Sequence, residues 1–281
     1  MILGFDVEAF VTAVLAEDLG AGGDITSAAV IPAEARFTGV MDTRDAIVVA
    51  GLELAEAFFR RLDREVRIER LVADGERAAR GTDLLRLEGR ARALLTAERS
   101  ALNTVQHLSG IATLTRAYVN RIAGTGATLL DTRKTLPGLR VLEKYATRMG
   151  GAKNHRMGLW DAAMIKDNHV AVAGGVTEAV ARARDAGIAD IIVEVDRLDQ
   201  IAPALDGGAT HLLLDNMPPV VLREAVALVA GRVPTEASGG VTLETIRAIA
   251  EAGVTYISVG RLTQSAPAAD IGLDFAMGEE R

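Results

Sequence analysis

The chain has 281 residues, contains no cysteine and carries a formal net charge of -7, with a pI of about 5.3. These values exclude disulfides, thiolate metal sites and cysteine nucleophiles, and they argue against general nucleic-acid binding. With 49% hydrophobic residues but no apolar run of the ~20 residues that a membrane helix needs, the sequence predicts one large α/β domain or two unequal ones, and no membrane partner.

The first predicted element is an amphipathic helix over residues 7–15, with Asp6 as its N-cap and Gly20 at its end. The following AGGDITS stretch contains glycines that could cradle a phosphate, but it is more typical of a helix-ending turn. The N-terminus has no basic region ahead of an apolar one. We therefore expect no signal peptide and a cytoplasmic location.

Residues 35–88 mix short alternating runs with one helix near residues 52–62, which is an α+β pattern. A long helical stretch over residues 92–122 follows, and Ser109-Gly110 predicts an interruption in it. The start of this stretch is the expected domain boundary. Arg99 lies there among apolar and small residues, and by pattern alone it is a surface arginine.

After residue 122 the sequence alternates regularly between apolar strand-like runs and amphipathic helical segments, which is typical of parallel β/α units. The polar residues Glu194, Asp215, Glu236 and Ser258 close successive runs at intervals of 21, 21 and 22 residues. The pattern predicts an α/β barrel with fewer than eight strands. The six predicted strands are ATLLD, AAMIK, DIIVEV, THLLLD, PTEAS and TYISVG.

The stretch from Asp131 to His169 is locally cationic, with eight of the 31 Lys and Arg residues and two of the four His against four acids. Its bases adjoin apolar runs and turns, as expected of side chains at the ends of buried strands. Such a cluster in an acidic chain predicts an anion site. The predicted donors for carboxylates and phosphates are Arg133, Lys134, His155, Arg156 and Lys166.

The strand ends also carry groups for a metal and a phosphate. Glu194 and Asp215 can hold Mg2+ together with substrate oxygens, or stabilise a developing positive charge. The Ser238-Gly239-Gly240 turn and Gly260 expose backbone N–H groups, which bind phosphate at the late strands of such barrels. The sequence thus predicts a phosphorylated sugar with Mg2+ and a second, carboxylate-bearing anion as substrates; no redox cofactor is expected.

Several motifs together resemble the quinolinate phosphoribosyltransferase family over nearly the whole chain. These motifs are EDLGAGGDITS, LLTAERSALN, DTRKT, GGAKNHRMGL, IKDNH, EVD, LLLDNM, EASGG and ISVGRLTQSAPAADIGLDF. The resemblance implies an open (incomplete) α/β barrel over residues 99–267 and a smaller N-terminal α/β sandwich domain over residues 1–98, completed by the tail, residues 268–281. It implies transfer of a phosphoribosyl group from 5-phosphoribosyl 1-pyrophosphate to quinolinate, with decarboxylation, in NAD biosynthesis.

The resemblance also assigns residues. Lys134, Glu194 and Asp215 are the implied catalytic residues, and Glu194 and Asp215 also the metal ligands. It implies a homodimer, with a higher oligomer possible, in which Arg99 completes the partner subunit's site. The implied substrate-binding residues are Arg99, Thr132, Arg133, Lys134, His155, Arg156, Lys166, Ser238, Gly239, Gly240, Ser258, Val259, Gly260 and Arg261.

Two other functions stay open from the residues alone. A barrel isomerase or lyase acting on a phosphorylated sugar would not need the five-base cluster. A non-catalytic sensor of a phosphorylated ligand would not need Glu194 and Asp215.

Overall fold

The computed structural model describes residue 2 and residues 4–275. Its contacts divide the chain into two compact units. The first comprises residues up to 114, residues 141–151 and the described residues from 265 onward; the second comprises residues 115–140 and 152–264. Residues 276–281 of the predicted tail lie outside the described residues, and the boundary between residues 98 and 99 stays a prediction.

The first unit contains a four-stranded antiparallel sheet and a two-stranded one. Its strands are β1 (Arg36–Thr43), β2 (Ile47–Val48), β3 (Arg67–Arg70), β4 (Arg77–Ala78), β5 (Asp83–Arg90) and β12 (Ile271–Phe275). The larger sheet has the order β12-β1-β5-β3, and β2 pairs with β4. The C-terminal strand pairs with β1 from Thr43↔Ile271 to Gly39↔Phe275, so the described part of the tail belongs to this sheet.

Five helices begin in the first unit or belong to it. Local sequence explains both ends of the first helix and the start of the second. They are α1 (Val7–Leu19), α2 (Ile25–Val30), α3 (Leu52–Leu62), α4 (Ala91–Arg121) and α5 (Arg140–Gly150). Asp6 caps α1 by accepting the Ala9 N–H at 2.9 Å, and Asp24 caps α2 through the Ser27 N–H at 2.9 Å. Gly20 ends α1 with a φ of 50°. The helix-ending turn predicted for AGGDITS is therefore confirmed.

The core of this unit lies between α3 and the larger sheet. Phe58 and Phe59 of α3 are completely buried with Met41 of β1 and Leu85 of β5. Full burial of such a side chain contributes about 1.5–3 kcal/mol. Apolar positions one helical turn apart thus give α3 a single buried face.

The interruption predicted at Ser109-Gly110 is wrong, because α4 runs continuously from Ala91 to Arg121. Gly110 allows a close approach instead: a Cβ there would lie 2.0 Å from the Pro267 carbonyl oxygen. The Ser109 hydroxyl does not cap a new helix; it accepts the Ala50 N–H at 3.0 Å. Both residues therefore let other segments of the chain, near Pro267 and Ala50, pack against α4.

The second unit contains six parallel strands, as the sequence predicts. They are β6 (Thr128–Leu130), β7 (Ala163–Ile165), β8 (Ile191–Val195), β9 (His211–Asp215), β10 (Thr235–Ser238) and β11 (Tyr256–Ser258), in the order β6-β11-β10-β9-β8-β7. Because β6 and β7 are the two edges of this sheet, the barrel is open. The predicted fold class, an open α/β barrel with a further N-terminal α/β domain, is confirmed.

Helices connect these strands. They are α6 (Asp167–Ala173), α7 (Val176–Asp185), α8 (Ile201–Gly207), α9 (Pro219–Val229), α10 (Ile246–Ala250) and α11 (Arg261–Gln264), with a 3-10 turn at Leu198–Gln200. Turns occupy residues 243–245, and α10 begins directly after them at Ile246. Within the described ranges, we find no helix whose length and apolar character would let it cross a membrane.

Candidate active site

The register of the parallel sheet aligns the predicted site residues at the carboxyl ends of the strands. Asp215 pairs with Ser238 across β9 and β10, while Glu194 of β8 pairs with Leu213 of β9. Adjacent strands lie about 4.8 Å apart. The carboxylates of Glu194 and Asp215 and the glycine turn after Ser238 therefore lie along the side of the sheet formed by the carboxyl ends of its strands, which we call the strand edge.

The two carboxylates at this edge have different partners. The Lys166 ammonium, directly after β7, forms a salt bridge with Glu194, whose side chain is 15% exposed. Asp215 accepts a hydrogen bond from the Asn216 amide at 2.6 Å. Among residues 2 and 4–275 there is no group of three His, Asp or Glu side chains arranged to hold a metal ion. A metal at Glu194 and Asp215 would need further oxygens from a ligand.

Arg133 and Arg156 form a cationic pair with unsatisfied donors. Burial lowers the pKa of Arg156 below its ordinary value, the positive charge of Arg133 lowers it further, and Asp161 opposes the shift. Arg156 donates from Nη1 to the Ala162 carbonyl at 3.1 Å. The Nε atoms of Arg133 and Arg156 are both buried without a hydrogen-bond partner. Buried donors of this kind are costly unless an anion accepts from them.

Asp131 fixes the segment that carries Arg156. This carboxylate is completely buried and accepts from the His155 N–H at 2.8 Å and from the Asn154 amide at 2.5 Å. A bridge between Leu130 and Lys153 holds the same segment beside β6. The last residue of the ATLLD run thus anchors the loop rather than facing a ligand.

Lys134 lies against the loop after β11. Its N–H donates to the Thr132 hydroxyl at 3.0 Å, and its carbonyl accepts from the Thr263 hydroxyl at 2.7 Å. A Cβ at Gly260 would lie 2.7 Å from Lys134 Cδ, so glycine at this position leaves room for the Lys134 side chain. Val259 is buried and Arg261 is exposed beside this contact.

Glycine is also required in the turn after β10. Gly239 has a φ of 94° and Gly240 a φ of 58°. A Cβ at Gly239 would lie 2.1 Å from the Asn216 side-chain oxygen, while the Asn216 N–H donates to the Ser238 carbonyl at 2.8 Å. The backbone conformation and the close approach both exclude larger residues here.

His155 and Glu236 form a buried contact that the sequence did not predict. Glu236 was expected at a strand end, but it is the second residue of β10 and is completely buried. Its Oε2 lies 3.2 Å from His155 Nε2 and 3.1 Å from His211 Nε2. Burial would raise its pKa, but the His155, His211 and Ser258 side chains beside it stabilise the anion and lower the pKa to about 2. Glu236 is therefore a buried carboxylate anion.

Both ring nitrogens of His155 are engaged within the chain. Nδ1 accepts the Arg156 N–H at 2.7 Å, and Nε2 faces Glu236. His155 therefore carries its proton on Nε2 in the neutral form. A side-chain hydrogen bond from His155 to a ligand would require one of these bonds to break.

A cavity of about 390 Å3 reaches this histidine from the other ends of the strands. Of the residues predicted to bind substrate, His155 and Arg156 line it; Lys134, Lys166, Glu194, Asp215 and the glycine turns do not. Its remaining walls include residues at the starts of strands, namely Asp190, Thr210, Pro234 and Tyr256. The cavity is thus distinct from the edge that carries the two carboxylates.

Arg99 lies on α4 in the first unit, where its side chain is exposed. Its positive charge lowers the pKa of the neighbouring Glu98, although burial of Glu98 has the larger effect and raises that pKa overall. Because its side chain is exposed, Arg99 is not a core residue of the first unit.

Comparison with known proteins identifies both halves of the chain. Sequence profiles described as the N-terminal and C-terminal domains of quinolinate phosphoribosyl transferase match residues 24–109 and 111–274. A carboxylating nicotinate-nucleotide pyrophosphorylase of Mycobacterium leprae is 46% identical over 273 residues, which cover 92% of this chain and 94% of that protein. A chloroplastic protein of the same name from rice is 40% identical over 289 residues, covering 96% and 77% respectively.

A solved structure has the same fold. The nicotinate-nucleotide pyrophosphorylase of Ehrlichia chaffeensis superposes with a TM-score of 0.94 at 37% identity, covering 98% of this chain and all of that one. The enzyme class expected from the sequence motifs is confirmed by these matches. The chain belongs to the quinolinate phosphoribosyltransferase family.

Proposed function

We propose that this chain transfers the phosphoribosyl group of 5-phosphoribosyl 1-pyrophosphate to quinolinate with decarboxylation, giving nicotinate mononucleotide, pyrophosphate and CO2. The observation that carries the proposal is the pair of buried, partnerless Nε donors of Arg133 and Arg156. Two like charges held together in this way require an anion, and quinolinate brings two carboxylates. Arginine pairs with carboxylates through two parallel hydrogen bonds.

In this proposal Arg133 and Arg156 clamp the carboxylates, His155 lies directly before Arg156 in the chain, and Lys166 supplies a further cation. Lys166 bonds to Glu194, which keeps its ammonium at the strand edge. Arg99 of a partner subunit adds a further cation. Positioning two mutually repelling anions is the main contribution of these five bases.

The glycine turns hold the phosphoribosyl end. Gly239 and Gly240 present backbone N–H groups after β10, and Gly260 does so after β11. Lys134 lies against Gly260 and neutralises the departing pyrophosphate. The other members of the proposed phosphoribosyl site are Thr132, Ser238, Ser258, Val259 and Arg261, with the Ser258 side chain beside Glu236.

Glu194 and Asp215 fit a site for Mg2+. Asp215 is the last residue of β9, Glu194 is the residue before the last of the adjacent β8, and both are partly exposed. Mg2+ is usually held by one or two carboxylates plus phosphate oxygens. The bound ion would supply positive charge to the pyrophosphate. Glu194 and Asp215 themselves lie where the ribosyl C1 becomes cationic, and their negative charges stabilise it.

The proposed reaction balances without an oxidant. The C1–oxygen bond breaks and its electron pair leaves with pyrophosphate, while the pyridine nitrogen lone pair forms the new bond to C1. The bond from the adjacent ring carbon to its carboxylate then breaks, CO2 leaves, and the remaining electron pair takes up a proton.

A homodimer and a cytoplasmic location belong to the same proposal. Large apolar side chains on the second unit favour a protein partner, since Leu159 is 72% exposed, Trp160 82% and Val172 89%. An oligomer larger than a dimer is compatible with this surface. The rice relative is chloroplastic by name, so the compartment is tested by locating a tagged chain in its own cells.

Incubation with quinolinate, 5-phosphoribosyl 1-pyrophosphate and Mg2+ tests the proposal. We expect release of CO2 and pyrophosphate in equal amounts, and loss of both when quinolinate or Mg2+ is omitted. A phosphosugar isomerase or lyase would act without quinolinate, and a sensor would bind without turnover. Lys134→Ala is the control for contaminating activity.

A further inference from the structure

Glu236 poses an electrostatic problem beside an anion site. Its completely buried carboxylate touches His155, the residue before Arg156, which provides half of the cationic pair. Burying an unpaired carboxylate costs several kcal/mol, and a negative charge here opposes the binding of a dianionic substrate. A role in attracting substrate therefore does not account for Glu236.

A chain of hydrogen bonds connects Glu236 to the arginine. Glu236 Oε2 accepts from His155 Nε2 at 3.2 Å, and His155 Nδ1 accepts the Arg156 N–H at 2.7 Å. The His155 side chain is only 8% exposed, so its ring is fixed in the orientation that makes both contacts. A carboxylate that binds one imidazole nitrogen sets which tautomer is present, and here it leaves Nδ1 as an acceptor.

Other contacts hold Glu236 itself in place. His211 Nε2 lies 3.1 Å from the same oxygen, and the His211 ring stacks on Tyr256 with a centroid distance of 5.6 Å. The Ser258 side chain on β11 also lies beside the carboxylate and stabilises its charge. Groups from two neighbouring strands thus surround Glu236, and the hydrogen bonds described for residues 4–275 connect it to Arg156 through His155.

We propose that Glu236 is a positioning residue that, through His155, holds the backbone at Arg156 so that its guanidinium faces the substrate carboxylate. The inference rests on the proposed function. It differs from a direct role because Glu236 is completely buried and acts through His155. It also predicts a sign: neutralising Glu236 should weaken quinolinate binding, whereas simple charge repulsion predicts stronger binding.

Calorimetry on Glu236→Gln, titrated with each substrate separately, tests whether quinolinate binding becomes weaker or stronger. Glutamine keeps the size of the side chain and removes the charge. We expect the Kd for quinolinate to rise at least about tenfold, the shift that 1.4 kcal/mol produces. The Kd for 5-phosphoribosyl 1-pyrophosphate and the kcat at saturating quinolinate should change less than about threefold, which is under 1 kcal/mol. Arg197→Lys, at an exposed arginine that pairs with Asp196 and Asp199, is the control and should leave quinolinate affinity unchanged.

A double variant tests whether Glu236 acts on Arg156 through His155. If Glu236 acts through His155, the losses in Glu236→Gln and His155→Phe should not add in the combined variant. Unchanged or tighter quinolinate binding in Glu236→Gln would overturn the proposal, as would additive losses or an equal loss of affinity for both substrates. If Glu236→Gln does not fold, Glu236→Asp is measured against the same expectations. Wild-type protein that releases no CO2 and pyrophosphate would instead refute the proposed function.

Discussion

At Arg156 the residue type matters as much as the charge. Its Nη1 already bonds to the Ala162 carbonyl, its Nε is buried without a partner, and burial together with the charge of Arg133 lowers its pKa. The guanidinium is planar and always charged, so it can keep the structural bond and still offer an edge to a carboxylate. A lysine ammonium is a single point of charge and cannot do both.

Arg156→Lys should therefore behave as a severe change. We expect quinolinate affinity to fall by roughly tenfold to a hundredfold, the cost of a lost charge-assisted hydrogen bond of about 1.5–3 kcal/mol. Calorimetric titration with quinolinate measures it. Arg197→Lys, at an exposed arginine that pairs with Asp196 and Asp199, is the control and should bind normally. Normal binding by Arg156→Lys would assign Arg156 a structural role.

The carboxylates at the strand edge should affect rate rather than quinolinate binding. In Glu194→Gln and Asp215→Asn we expect kcat to fall about a hundredfold or more, because removing one preorganised charge near a transition state costs about 3 kcal/mol. The Kd for quinolinate should stay within about twofold in Asp215→Asn, whose carboxylate bonds to Asn216 rather than to a base of the pocket. Asp196→Asn, an exposed acid directly after β8, should retain full activity.

Stopped-flow and calorimetric measurements separate these effects. Loss of quinolinate binding with an unchanged rate at saturation would refute the assignment of Glu194 and Asp215 to the ribosyl side.

At the scale of elements, the strands of the barrel were predictable and the contacts between them were not. Parallel strands buried on both faces are continuous apolar runs, and each run ends where the polar edge begins, so sequence alone located β6 to β11. The burial of Glu236 depends on His155 and His211, which come from other segments of the chain. No local pattern in PTEAS distinguishes a buried carboxylate from one at the strand edge.

Contacts between segments distant in sequence also explain why the prediction for α4 was wrong. Glycine weakens an isolated helix, so Ser109-Gly110 predicts a break. In the folded chain Gly110 faces the carbonyl of Pro267, and the Ala269 N–H donates to the Gln106 carbonyl of α4 at 2.9 Å. These contacts depend on a segment more than 150 residues away in sequence, and they override the helix propensity.

Gly110→Ala should destabilise the protein although it improves helix propensity. The gain in propensity is about 1 kcal/mol, whereas a Cβ 2.0 Å from a backbone oxygen forces the chain near Pro267 to move, an overpacking cost of about 1–3 kcal/mol or more. We expect a net loss of up to about 2 kcal/mol in the free energy of unfolding, measured by urea denaturation. Gly22→Ala, where no atom lies within 4 Å, is the control. Stabilisation by Gly110→Ala would show that the packing at Pro267 is loose.

At the scale of the whole molecule, the proposed dimer makes each site depend on two subunits. Arg99 is exposed on α4, whereas Lys134 lies on the second unit against Gly260. If Arg99 serves the partner's site and Lys134 its own subunit's site, the two residues belong to complementary halves. Isologous pairing then places one Arg99 opposite each Lys134.

Arg99→Ala and Lys134→Ala homodimers should both be nearly inactive, since every site in each lacks one essential cation. Mixing the two variants and allowing subunits to exchange makes half of the dimers mixed. In a mixed dimer, the subunit that keeps Lys134 receives a normal Arg99 from its partner, and its site is whole, while the other site lacks both residues. Activity should therefore recover to roughly a quarter of the wild-type value, as isologous pairing requires. Mass spectrometry of the mixture verifies the exchange, and self-mixed homodimers provide the baseline. Verified exchange without recovery would place Arg99 in its own subunit's site or outside any site, because no arrangement across the interface would then restore a complete set of cations.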